Sequence, residues 1–335
     1  MLDHKVVLIT GGTGSFGQKF TEIVLSKYRP KKLIIFSRDE MKQYEMAEKF
    51  KHADVRFFIG DIRDPERLHR AFDDVDIVIH AAAFKIVPTA EYNPFEAVRT
   101  NIIGTQNVIN AAIDKNVEKV IAISTDKAAS PVNLYGATKL CAEKIFIAAN
   151  KFCPNRTMFS VVRYGNVFGS RGSVIPFFHE CKMQGLPIPV TDVRMTRFWI
   201  QLEQGVEFVI NCLGMMSGGE VFVPKLSSMR VVDLAKAIAP NSEIKITGIR
   251  PGEKLHETLV TADDARYTFE KADRFVMRPL AAHFGPVAND EKSLPEDFEG
   301  YHSNNNDRWL SDEELRHIIY KYENGQNNTV RQTIY

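Results

Sequence analysis

VVLITGGTGSFG, residues 6–17, is the stretch that decides the fold of this 335-residue chain. Its apolar run from Val6 to Thr10 predicts a buried strand, and a helical pattern, Phe16 to Lys27, follows at once. Between them, the spacing GxxGxxG lets the backbone turn tightly beside a pyrophosphate, and the helix N-terminus offers N–H donors. A glycine-rich turn without a ligand is the alternative. We expect nucleotide contacts from Gly11, Thr13, Gly14, Ser15, Phe16 and Gly17.

The same alternation of strand and helix continues through the first half of the chain. Further apolar runs, which predict strands, lie at Lys32 to Ser37, Val55 to Ile59, Asp76 to Ala81 and Lys119 to Ser124. Helical patterns lie at Arg38 to Phe50, Pro65 to Phe72, Glu96 to Asn116 and Leu134 to Lys151. Uniformly apolar strands joined by helices are typical of a parallel sheet covered on both faces. We therefore predict an α/β fold with a Rossmann-type doubly wound parallel sheet.

Later segments return to this sheet and are interrupted by a different kind of sequence. The βα pattern resumes in two strands and a helix, Phe159 to Tyr164, Glu220 to Pro224 and Leu202 to Leu213. We predict a nucleotide-binding domain over residues 1–165, with residues 200–224 returning to it. A smaller interleaved substrate-binding lobe is predicted over residues 166–199 and 225–280. Residues 281–335 are predicted to form a C-terminal tail with a final helix, Ser311 to Tyr320, opened by the capping pair Ser311 and Glu314.

Charge and cysteine content exclude several classes of protein. The chain has 43 Lys and Arg against 42 Asp and Glu, so no overall charge attracts nucleic acid or an anionic membrane surface. Four widely separated cysteines without a CxxC pair indicate neither a metal site nor a disulfide framework. No signal-peptide pattern is present, and no apolar run approaches about 18 residues. We expect a cytoplasmic protein without metal, nucleic-acid partner or membrane span.

Side chains at the strand ends predict which dinucleotide is bound. An acid at the end of the second strand usually binds the ribose diol of NAD, but Ser37 and Arg38 stand there, with Lys42 one helical turn on. A hydroxyl and two cations suit a 2′-phosphate, which favours NADP. A solvated helix start is the alternative. The next two strands end in further predicted cofactor contacts, Asp61 and Ile62 at the adenine and Ala81 beside the nicotinamide ribose.

A tyrosine and a lysine four residues apart, Tyr135 and Lys139, follow the fifth strand. On a helix this spacing places them on one face. We expect the lysine to lower the pKa of the phenol, so that Tyr135 can remove a hydroxyl proton while hydride leaves the same carbon for the nicotinamide. Both residues are therefore predicted to be catalytic and to contact the cofactor. The spacing also arises by chance, but its position after the fifth strand favours catalysis.

Thr125, Asp126 and Lys127 end the fifth strand, at the carboxyl edge where α/β sheets bind ligands. Thr125 can hold a carbonyl oxygen, as a dehydrogenase requires. An acid followed by an amine is suited to eliminating water, since Asp126 can protonate a departing hydroxyl while Lys127, if burial lowers its pKa, removes a C–H proton. A surface ion pair is the alternative interpretation.

These motifs together resemble the inverting UDP-N-acetylglucosamine 4,6-dehydratases of the pseudaminic acid pathway type, within the extended short-chain dehydrogenase family. The GxxGxxG spacing is similar to that of the short-chain dehydrogenases. Retaining dehydratases of the resembling family have a Thr-Asp-Glu pattern, so Lys127 in place of the glutamate is the residue that assigns the inverting branch. The likeness runs to about Glu257. Its matching blocks are Thr10 to Gly17, Ser37 to Glu40, Ser124 to Ala129, Tyr135 to Lys139, Arg163 to Val167, Met195 to Trp199 and Arg250 to Lys254.

The resemblance implies a complete reaction. NADP takes hydride from sugar C-4 while Tyr135 accepts the O-4 proton, and the new ketone acidifies C-5. Lys127 removes the C-5 proton, Asp126 protonates the departing C-6 hydroxyl, and the hydride returns to C-6. Reprotonation of C-5 from the opposite face, by Lys127 or Tyr135, gives UDP-2-acetamido-2,6-dideoxy-β-L-arabino-hex-4-ulose. That product can enter a flagellin-modifying sugar acid, a capsule or a lipopolysaccharide.

The resemblance also implies how the UDP-sugar is held and how the chains assemble. Lys85 matches a residue that reaches both cofactor and sugar. A homo-oligomer is implied, based on dimers that pair through Glu96 to Asn116 and Leu134 to Lys151, with a hexamer as one option, although the apolar faces of those helices also suit a core. His80, His179 and His256 are interpreted as structural or exposed. The positions matching the UDP site are Asn166, Val174, Thr191, Arg197, Arg250 and Glu253.

Two other functions are compatible with parts of this sequence. A nucleotide-sugar 4-epimerase needs the tyrosine and lysine but not Asp126 and Lys127. A non-catalytic NADP-binding regulator can lose the tyrosine and lysine, and both are present here. The inverting dehydratase is therefore the leading prediction.

Overall fold

The computed structural model describes residues 1–154, 156–278 and 293–331. The chain folds into two compact units. The first comprises Met1–Tyr164, Leu202–Lys225 and Thr258–Gly300, and the second comprises Gly165–Gln201, Leu226–Glu257 and Tyr301–Tyr335. Both units are therefore discontinuous in sequence.

The first unit is built on a nine-stranded sheet. Seven strands are parallel, in the order β10-β6-β5-β4-β1-β2-β3, and β15 and β14 extend the β10 edge in antiparallel fashion. Every residue of β1 and β4 is buried, which explains their uninterrupted apolar sequence. The strands are β1 Val6–Thr10, β2 Lys32–Ser37, β3 Val55–Ile59, β4 Ile77–His80, β5 Lys119–Thr125, β6 Met158–Tyr164, β10 Val221–Pro224, β14 Thr268–Glu270 and β15 Arg274–Met277.

The helices of the first unit fall into two groups that pack among themselves, as expected for the two faces of the sheet. One group pairs α1 with α9, and the other joins α3, α6 and α7. Among the residues that the structure describes, no helix is long and apolar enough to cross a membrane. The helices are α1 Ser15–Lys27, α2 Glu40–Lys49, α3 Pro65–Ala71, α4 Val87–Tyr92, α5 Pro94–Val98, α6 Gly104–Asp114, α7 Leu134–Ala149 and α9 Leu202–Met215.

The segment predicted as one helix, Glu96 to Asn116, has an internal change of winding. A π-helical turn, Arg99–Ile103, connects α5 to α6, and the backbone at both junctions stays right-handed helical, so the helix is continuous. A π turn inserts one extra residue and is frequent near functional sites. It contains the buried side chain of Asn101, whose hydrogen bonds are described below.

The second unit has a core of its own. Its strands are β7 Asn166–Val167, β8 Ile188–Val190, β9 Thr196–Ile200, β11 Ser227–Arg230 and β12 Ile244–Ile246, and its helices are α8 Val174–Met183, α10 Val231–Ile238 and α11 Asp312–Arg331. Strands β11, β9 and β7 form one small sheet, and β12 pairs with β8. Two further short strands are β13 Thr258–Thr261, which lies in the first unit, and β16 Gly300–His302, which begins at the last residue of that unit. Apolar residues buried together include Phe168, Ile175, Phe178, Trp199, Leu234, Leu315 and Ile319.

The predicted parallel sheet is confirmed, whereas the predicted unit boundaries differ from those in the structure. Residues 258–278, predicted in the substrate lobe, lie in the first unit because β14 and β15 complete its sheet. The last helix, predicted within a separate tail, starts at Asp312 and belongs to the second unit, where Leu315 and Ile319 enter the core. Its capping pair forms: Ser311 N donates to Glu314 (2.9 Å), and Glu314 N donates to Ser311 Oγ (3.2 Å).

Candidate active site

The glycine turn between β1 and α1 has a backbone that only glycine fits. Gly11 has φ +66°, and a Cβ added there would lie 2.8 Å from the backbone of Ala82. A Cβ on Gly17 would lie 2.2 Å from the carbonyl oxygen of Gly12. Both contacts are with backbone atoms that have no flexible side chain to give way. The turn is therefore held tightly against the end of β4, as a phosphate-binding turn requires.

The N-terminus of α1 is left without a side-chain cap. Gly14 occupies the N-cap position and makes no side-chain cap hydrogen bond, and the first turn has no acid. Three other helices of this unit, α2, α3 and α7, are capped by the side chains of Asp39, Asp64 and Asn133. An uncapped N-terminus beside a glycine turn is the arrangement that favours an anionic ligand. The residues present therefore fit a dinucleotide pyrophosphate.

The residues predicted to select NADP lie together at the end of β2. Ser37 is buried and shares a hydrogen bond with Thr13 (Oγ to Oγ1, 2.8 Å), which ties the strand end to the glycine turn. The Arg38 side chain is 63% exposed and lies 3.7 Å from Asp61. Lys42 forms an ion pair with Asp39, the residue that caps α2. Arg38 is thus the more exposed cation of this group, and each cation has an acidic neighbour, Asp61 for Arg38 and Asp39 for Lys42.

Asp61, predicted at the adenine, has arginine partners. Arg63 donates to its carboxylate from Nε (3.0 Å) and Nη2 (2.7 Å), and this pairing, together with Arg38, lowers the pKa of Asp61 against the effect of burial. A cavity of about 450 Å³ lies beside it, lined by Asp61, Arg63, Asp64, Arg99 and Ile103. Ile62, which follows Asp61 in the chain, is buried. A larger cavity of about 620 Å³, between α3 and α6, contains none of the predicted site residues.

Thr125, Asp126 and Lys127 form one hydrogen-bonded group at the end of β5. The residues after Thr125 wind into a short 3₁₀ turn, Asp126–Ala128, which folds the two charged side chains back toward each other. Asp126 Oδ1 accepts from Thr125 Oγ1 (2.8 Å) and from Lys127 Nζ (2.9 Å). The side chain of Asp126 is fully buried, whereas that of Lys127 is 25% exposed. This pair is therefore not the surface ion pair of the alternative interpretation.

Tyr135 and Lys139 lie on α7 and are both buried. Burial raises the pKa of the Tyr135 phenol to about 12, Lys127 and Thr125 act to lower it, and Asp126 acts to raise it. Lys139 instead donates to the carbonyl oxygen of Ile123 (2.7 Å). The prediction that Lys139 lowers the phenol pKa is wrong, because burial raises that pKa and the ammonium that acts to lower it belongs to Lys127.

Burial also sets the protonation of Lys139. It lowers the pKa of the ammonium to about 8, and the Glu143 carboxylate, one helical turn further along α7, acts in the opposite direction. Glu143 is itself paired with Arg163 through two hydrogen bonds (3.1 and 2.6 Å). Lys139 is thus a buried amine whose charge changes within an accessible pH range.

The loop after β4 holds the remaining predicted residues of the first unit. Ala81 is half-buried beside the glycine turn, and Lys85 is exposed. The loop is anchored by Asn101, whose side chain bonds both the N–H and the carbonyl of Phe84 (2.7 and 2.9 Å). Asn101 was not among the predicted site residues, although an asparagine inside a helical pattern that disfavours it was a usable signal.

Ser124 is another residue of the site without a predicted role. Ser124 directly precedes the Thr125–Lys127 group. Its Oγ is buried and has no hydrogen-bond partner among the described residues. A buried hydroxyl without a partner is costly, and such groups are uncommon in folded proteins. Its position beside Thr125 fits a ligand that supplies the missing bond.

The six residues predicted to hold UDP all lie in the second unit. Arg197 is buried, and its guanidinium donates to the carbonyl oxygens of Thr196 (2.7 Å) and Lys254 (3.0 Å). Arg250 is largely exposed and pairs with Glu253 (2.9 Å). Thr191 donates to Met195 Sδ, Asn166 starts β7, and Val174 starts α8. Arg197 and Arg250 both lie near Glu253. The roles of all six residues in binding UDP stay predictions.

Comparisons with known proteins agree with this arrangement. Residues 7–279 match the family model described as polysaccharide biosynthesis protein. The inverting UDP-N-acetylglucosamine 4,6-dehydratase of Campylobacter jejuni is 53% identical over 329 residues, 95% of this chain and 98% of that one. A UDP-glucose 4-epimerase of Rickettsia typhi is 43% identical over 277 residues, 79% of this chain and 80% of that one.

Among solved structures, Pen from Bacillus thuringiensis superposes with a TM-score of 0.89 at 40% identity, covering 96% of this chain and 99% of that one. The structural match therefore extends over both units, as the match to the dehydratase sequence does. On these findings, the chain belongs to the polysaccharide biosynthesis protein family of extended short-chain dehydrogenases, together with the inverting UDP-N-acetylglucosamine 4,6-dehydratases.

Proposed function

We propose that this chain catalyses the NADP-dependent 4,6-dehydration of UDP-N-acetylglucosamine with inversion at C-5. The observation that supports this best is the pairing of the buried Asp126 carboxylate with the partly buried Lys127 ammonium, 2.9 Å apart, next to Thr125 and Tyr135. An enzyme that only moves hydride needs the tyrosine and the hydroxyl but has no use for this pair. The 53% identity with a relative named for the inverting reaction points the same way.

Lys127 and Asp126, joined by a hydrogen bond, can supply the base and the acid that elimination requires. As an ion pair, neither can act, because the amine is protonated and the acid is not. Transfer of one proton from Nζ to Oδ1, along the existing hydrogen bond, gives a neutral amine and a neutral carboxylic acid. The amine then removes the C-5 proton, and the acid protonates the departing C-6 hydroxyl. The burial of Asp126 favours the neutral pair, because it disfavours charge.

The same hydrogen bond returns the site to its starting state. After water leaves, Lys127 holds the proton from C-5, and Asp126 is ionised. If Tyr135 delivers the new C-5 proton from the opposite face, it becomes a phenolate that can accept the next O-4 proton, and proton transfer from Lys127 to Asp126 restores the acid. Delivery by Lys127 would leave the proton on Tyr135 instead. This balance favours Tyr135 among the two candidates.

The cofactor proposed for this site is a nicotinamide dinucleotide, which when bound supplies a hydride acceptor for C-4 and returns the hydride at C-6. Gly11, Gly14 and Gly17 would hold its pyrophosphate on the uncapped α1, and the Ser124 hydroxyl would gain a partner. We favour NADP because Arg38 is exposed at the end of β2. Arg38→Ala should weaken NADP binding about tenfold and leave NAD binding nearly unchanged, measured by fluorescence titration. Equal effects on both cofactors would contradict the 2′-phosphate contact.

The reaction itself is tested by incubation with UDP-N-acetylglucosamine in heavy water, followed by mass spectrometry and NMR of the product. We expect a 4-keto-6-deoxy sugar with one deuterium at C-5 and the inverted configuration. Unchanged substrate would overturn the proposal. Retention at C-5 would overturn the inverting assignment alone.

The rival supported by a specific observation is a 4-epimerase, the name of the Rickettsia typhi relative. Lys127→Ala separates the two activities, because an epimerase does not need this amine. We expect dehydration to fall more than about 100-fold in that variant, as general acid–base catalysis contributes that much. Lys144→Ala, an exposed lysine of α7, is the matched control. Full turnover in the Lys127 variant, with a C-4 epimer as product, would favour the epimerase.

Three finer features complete the proposal. The product would serve the synthesis of a surface sugar such as pseudaminic acid, for flagellin glycosylation, in the cytoplasm. The chain would form a homo-oligomer based on dimers, and the exposed apolar side chains of Tyr92, Phe95 and Ile103, near the helices predicted to pair, are consistent with such a contact. The residues that would bind the UDP-sugar are Lys85, Asn166, Val174, Thr191, Arg197, Arg250 and Glu253.

A further inference from the structure

A continuous series of hydrogen bonds crosses the first unit behind the candidate active site. Thr10 Oγ1 bonds the N–H of Ala82 (3.3 Å) and Nδ1 of His80 (2.8 Å). On the other side of the ring, His80 Nε2 bonds Thr105 Oγ1 (3.3 Å), which donates to the carbonyl oxygen of Asn101 (2.6 Å). The series therefore joins the last residue before the glycine turn to the π turn.

The series continues from the π turn to the catalytic helix. Asn101 Nδ2 donates to the carbonyl oxygen of Phe84 and to Thr138 Oγ1, both at 2.9 Å. The Thr138 hydroxyl donates in turn to the carbonyl oxygen of Tyr135 (2.8 Å). The same amide side chain thus holds the loop that carries Lys85 and the first turn of α7.

The groups bonded to the two ring nitrogens of His80 determine where each proton around the imidazole lies. The carbonyl of Asn101 can only accept, so Thr105 donates to it and must accept from Nε2–H of His80. A neutral imidazole with its proton on Nε2 has a bare Nδ1, which accepts from the Thr10 hydroxyl. Thr10 in turn accepts from Ala82 N–H. Each donor has an acceptor, so the ring has one satisfied orientation and one tautomer.

The surroundings of His80 keep the ring neutral and immobile. Its side chain is 2% exposed and stacks on Phe146, with ring centroids 5.8 Å apart and planes 4° apart. Burial lowers the pKa of His80 to about 3, and the nearby Lys139 ammonium on α7 acts in the same direction. Its other neighbours, Thr10, Thr105 and Phe146, are uncharged. His80 is therefore unsuited to acid–base catalysis and suited to fixed hydrogen bonding.

We propose that His80, as the neutral Nε2–H tautomer, is a positioning residue that holds the loop Ala81–Lys85 in register with the glycine turn and with the Tyr135 helix. Loss of either ring hydrogen bond would loosen one attachment of the loop that approaches Gly11 and carries Lys85, while Asn101 would still bond Phe84. The assignment of the tautomer is independent of the reaction, whereas the catalytic consequence rests on the proposed function.

The first test is the tautomer itself, measured on the full chain with ¹⁵N-labelled histidine by long-range ¹H–¹⁵N correlation NMR. We expect the His80 signal to show a protonated Nε2 and a bare Nδ1, unchanged between about pH 8 and pH 5. His80→Phe, which keeps a ring to stack on Phe146, assigns the signal, and His69→Gln, at an exposed site of α3, is the control. A proton on Nδ1, or a ring that becomes charged in this range, would overturn the proposal.

The second test uses Thr105, which can be changed without removing the ring. Thr105→Val removes the acceptor for Nε2–H, and Thr105→Ser keeps it. We expect Thr105→Val to weaken NADPH binding about threefold to tenfold, the value of about one neutral hydrogen bond, and Thr105→Ser to restore it. Dehydration should lose about 10-fold to 100-fold in kcat, with KM for the UDP-sugar changed less than about twofold, because a small misplacement acts on the reacting geometry.

The outcomes separate this inference from the proposed function. Normal NADPH binding and normal kcat in both Thr105→Val and His80→Phe would refute the positioning role. If the wild-type chain does not dehydrate UDP-N-acetylglucosamine, the proposed function fails, and the tautomer and NADPH measurements still decide the role of His80.

Discussion

At the scale of single residues, burial determines the protonation of the site more strongly than the spacing of charges does. Lys139 and Tyr135 are four residues apart on α7, yet the Lys139 ammonium donates to the Ile123 carbonyl, and Lys127 is the cation that acts on the phenol. Desolvation is the largest influence on both groups, and it raises the pKa of the phenol while lowering that of the ammonium. Burial therefore favours the neutral form of each group, the protonated phenol and the unprotonated amine.

The low pKa of Lys139 predicts an alkaline limit to activity. If the site needs the ammonium, kcat/KM should be constant at neutral pH and fall as the pH rises through about 8, where Lys139 loses its proton. Lys139→Arg should remove this limb, because a guanidinium stays charged. A pH–rate profile with no alkaline limb in the wild type, or the same limb in the arginine variant, would contradict this assignment.

The same pKa predicts a gain in stability when Lys139 is replaced. Folding lowers the pKa from its usual value of 10.5 to about 8, so between these values the unfolded chain binds more protons and stability rises with pH. At pH 7 the folded state has the full cost of the buried charge. Lys139→Met should raise the free energy of unfolding at pH 7 by on the order of 1–3 kcal/mol. The difference should shrink toward pH 10 in denaturant titrations, and a destabilised variant at pH 7 would oppose this view.

At the scale of elements, the glycine turn shows how a backbone contact limits the sequence. Gly17→Ala would place a Cβ 2.2 Å from a carbonyl oxygen, whereas the closest contact of a Cβ on Gly14 is 3.2 Å. We expect Gly17→Ala to lower the free energy of unfolding by about 2–4 kcal/mol and to abolish NADPH binding, and Gly14→Ala to cost less stability. Thermal unfolding and NADPH titration of the two variants check this order. Equal stability of the two variants would contradict it.

A buried ion pair connects α7 to β6. Arg163 bonds Glu143 twice, donates to the Leu259 carbonyl (2.9 Å) and lies 3.6 Å from Asp264. Removing one partner leaves the other charge buried without its main counter-ion, so Glu143→Gln should cost about 3–5 kcal/mol in denaturant titrations. Lys144→Gln, the exposed neighbour on α7, should change stability by less than about 0.5 kcal/mol. A Glu143 variant as stable as this control would show that the pair contributes little.

At the scale of the whole molecule, each of the two units has its own buried core, and both tryptophans lie in the second unit. Trp199 is buried in its core, and Trp309 is partly exposed. Intrinsic tryptophan fluorescence therefore reports on the second unit, and NADPH binding reports on the first. This separation allows the last helix, whose residues Leu315 and Ile319 are buried, to be tested as part of the second unit.

Leu315→Ala should destabilise the second unit by about 2–4 kcal/mol, the usual cost of a cavity left by a buried leucine. The transition followed by tryptophan fluorescence should move to lower denaturant concentration, while NADPH affinity changes less than about twofold. Tyr320→Ala, largely exposed on the same helix, is the control. An unchanged fluorescence transition in Leu315→Ala would show that the helix contributes nothing to this core.

Features that depend on neighbours along the chain could be predicted from the amino-acid sequence alone. The strands of the parallel sheet, the glycine turn, the capping of the last helix and the Thr125-Asp126-Lys127 group were predictable because periodicity and spacing describe local geometry. The ends of the first-unit helices and strands were close to those observed, but the last helix continues to Arg331, well beyond its predicted end at Tyr320. The π turn at Arg99–Ile103 was not predicted either, since it adds one residue without changing composition.

Features that depend on residues far apart in the chain came only from the packing of the folded molecule. The fold places β14 and β15 on the sheet, brings Asn101 to Phe84 and Thr138, and encloses His80 between Thr10 and Thr105. It also directs Lys139 to a carbonyl in β5. Hydrogen-bond partners and burial are set by which elements pack together, and a pKa follows from both, so no spacing along one helix could predict them.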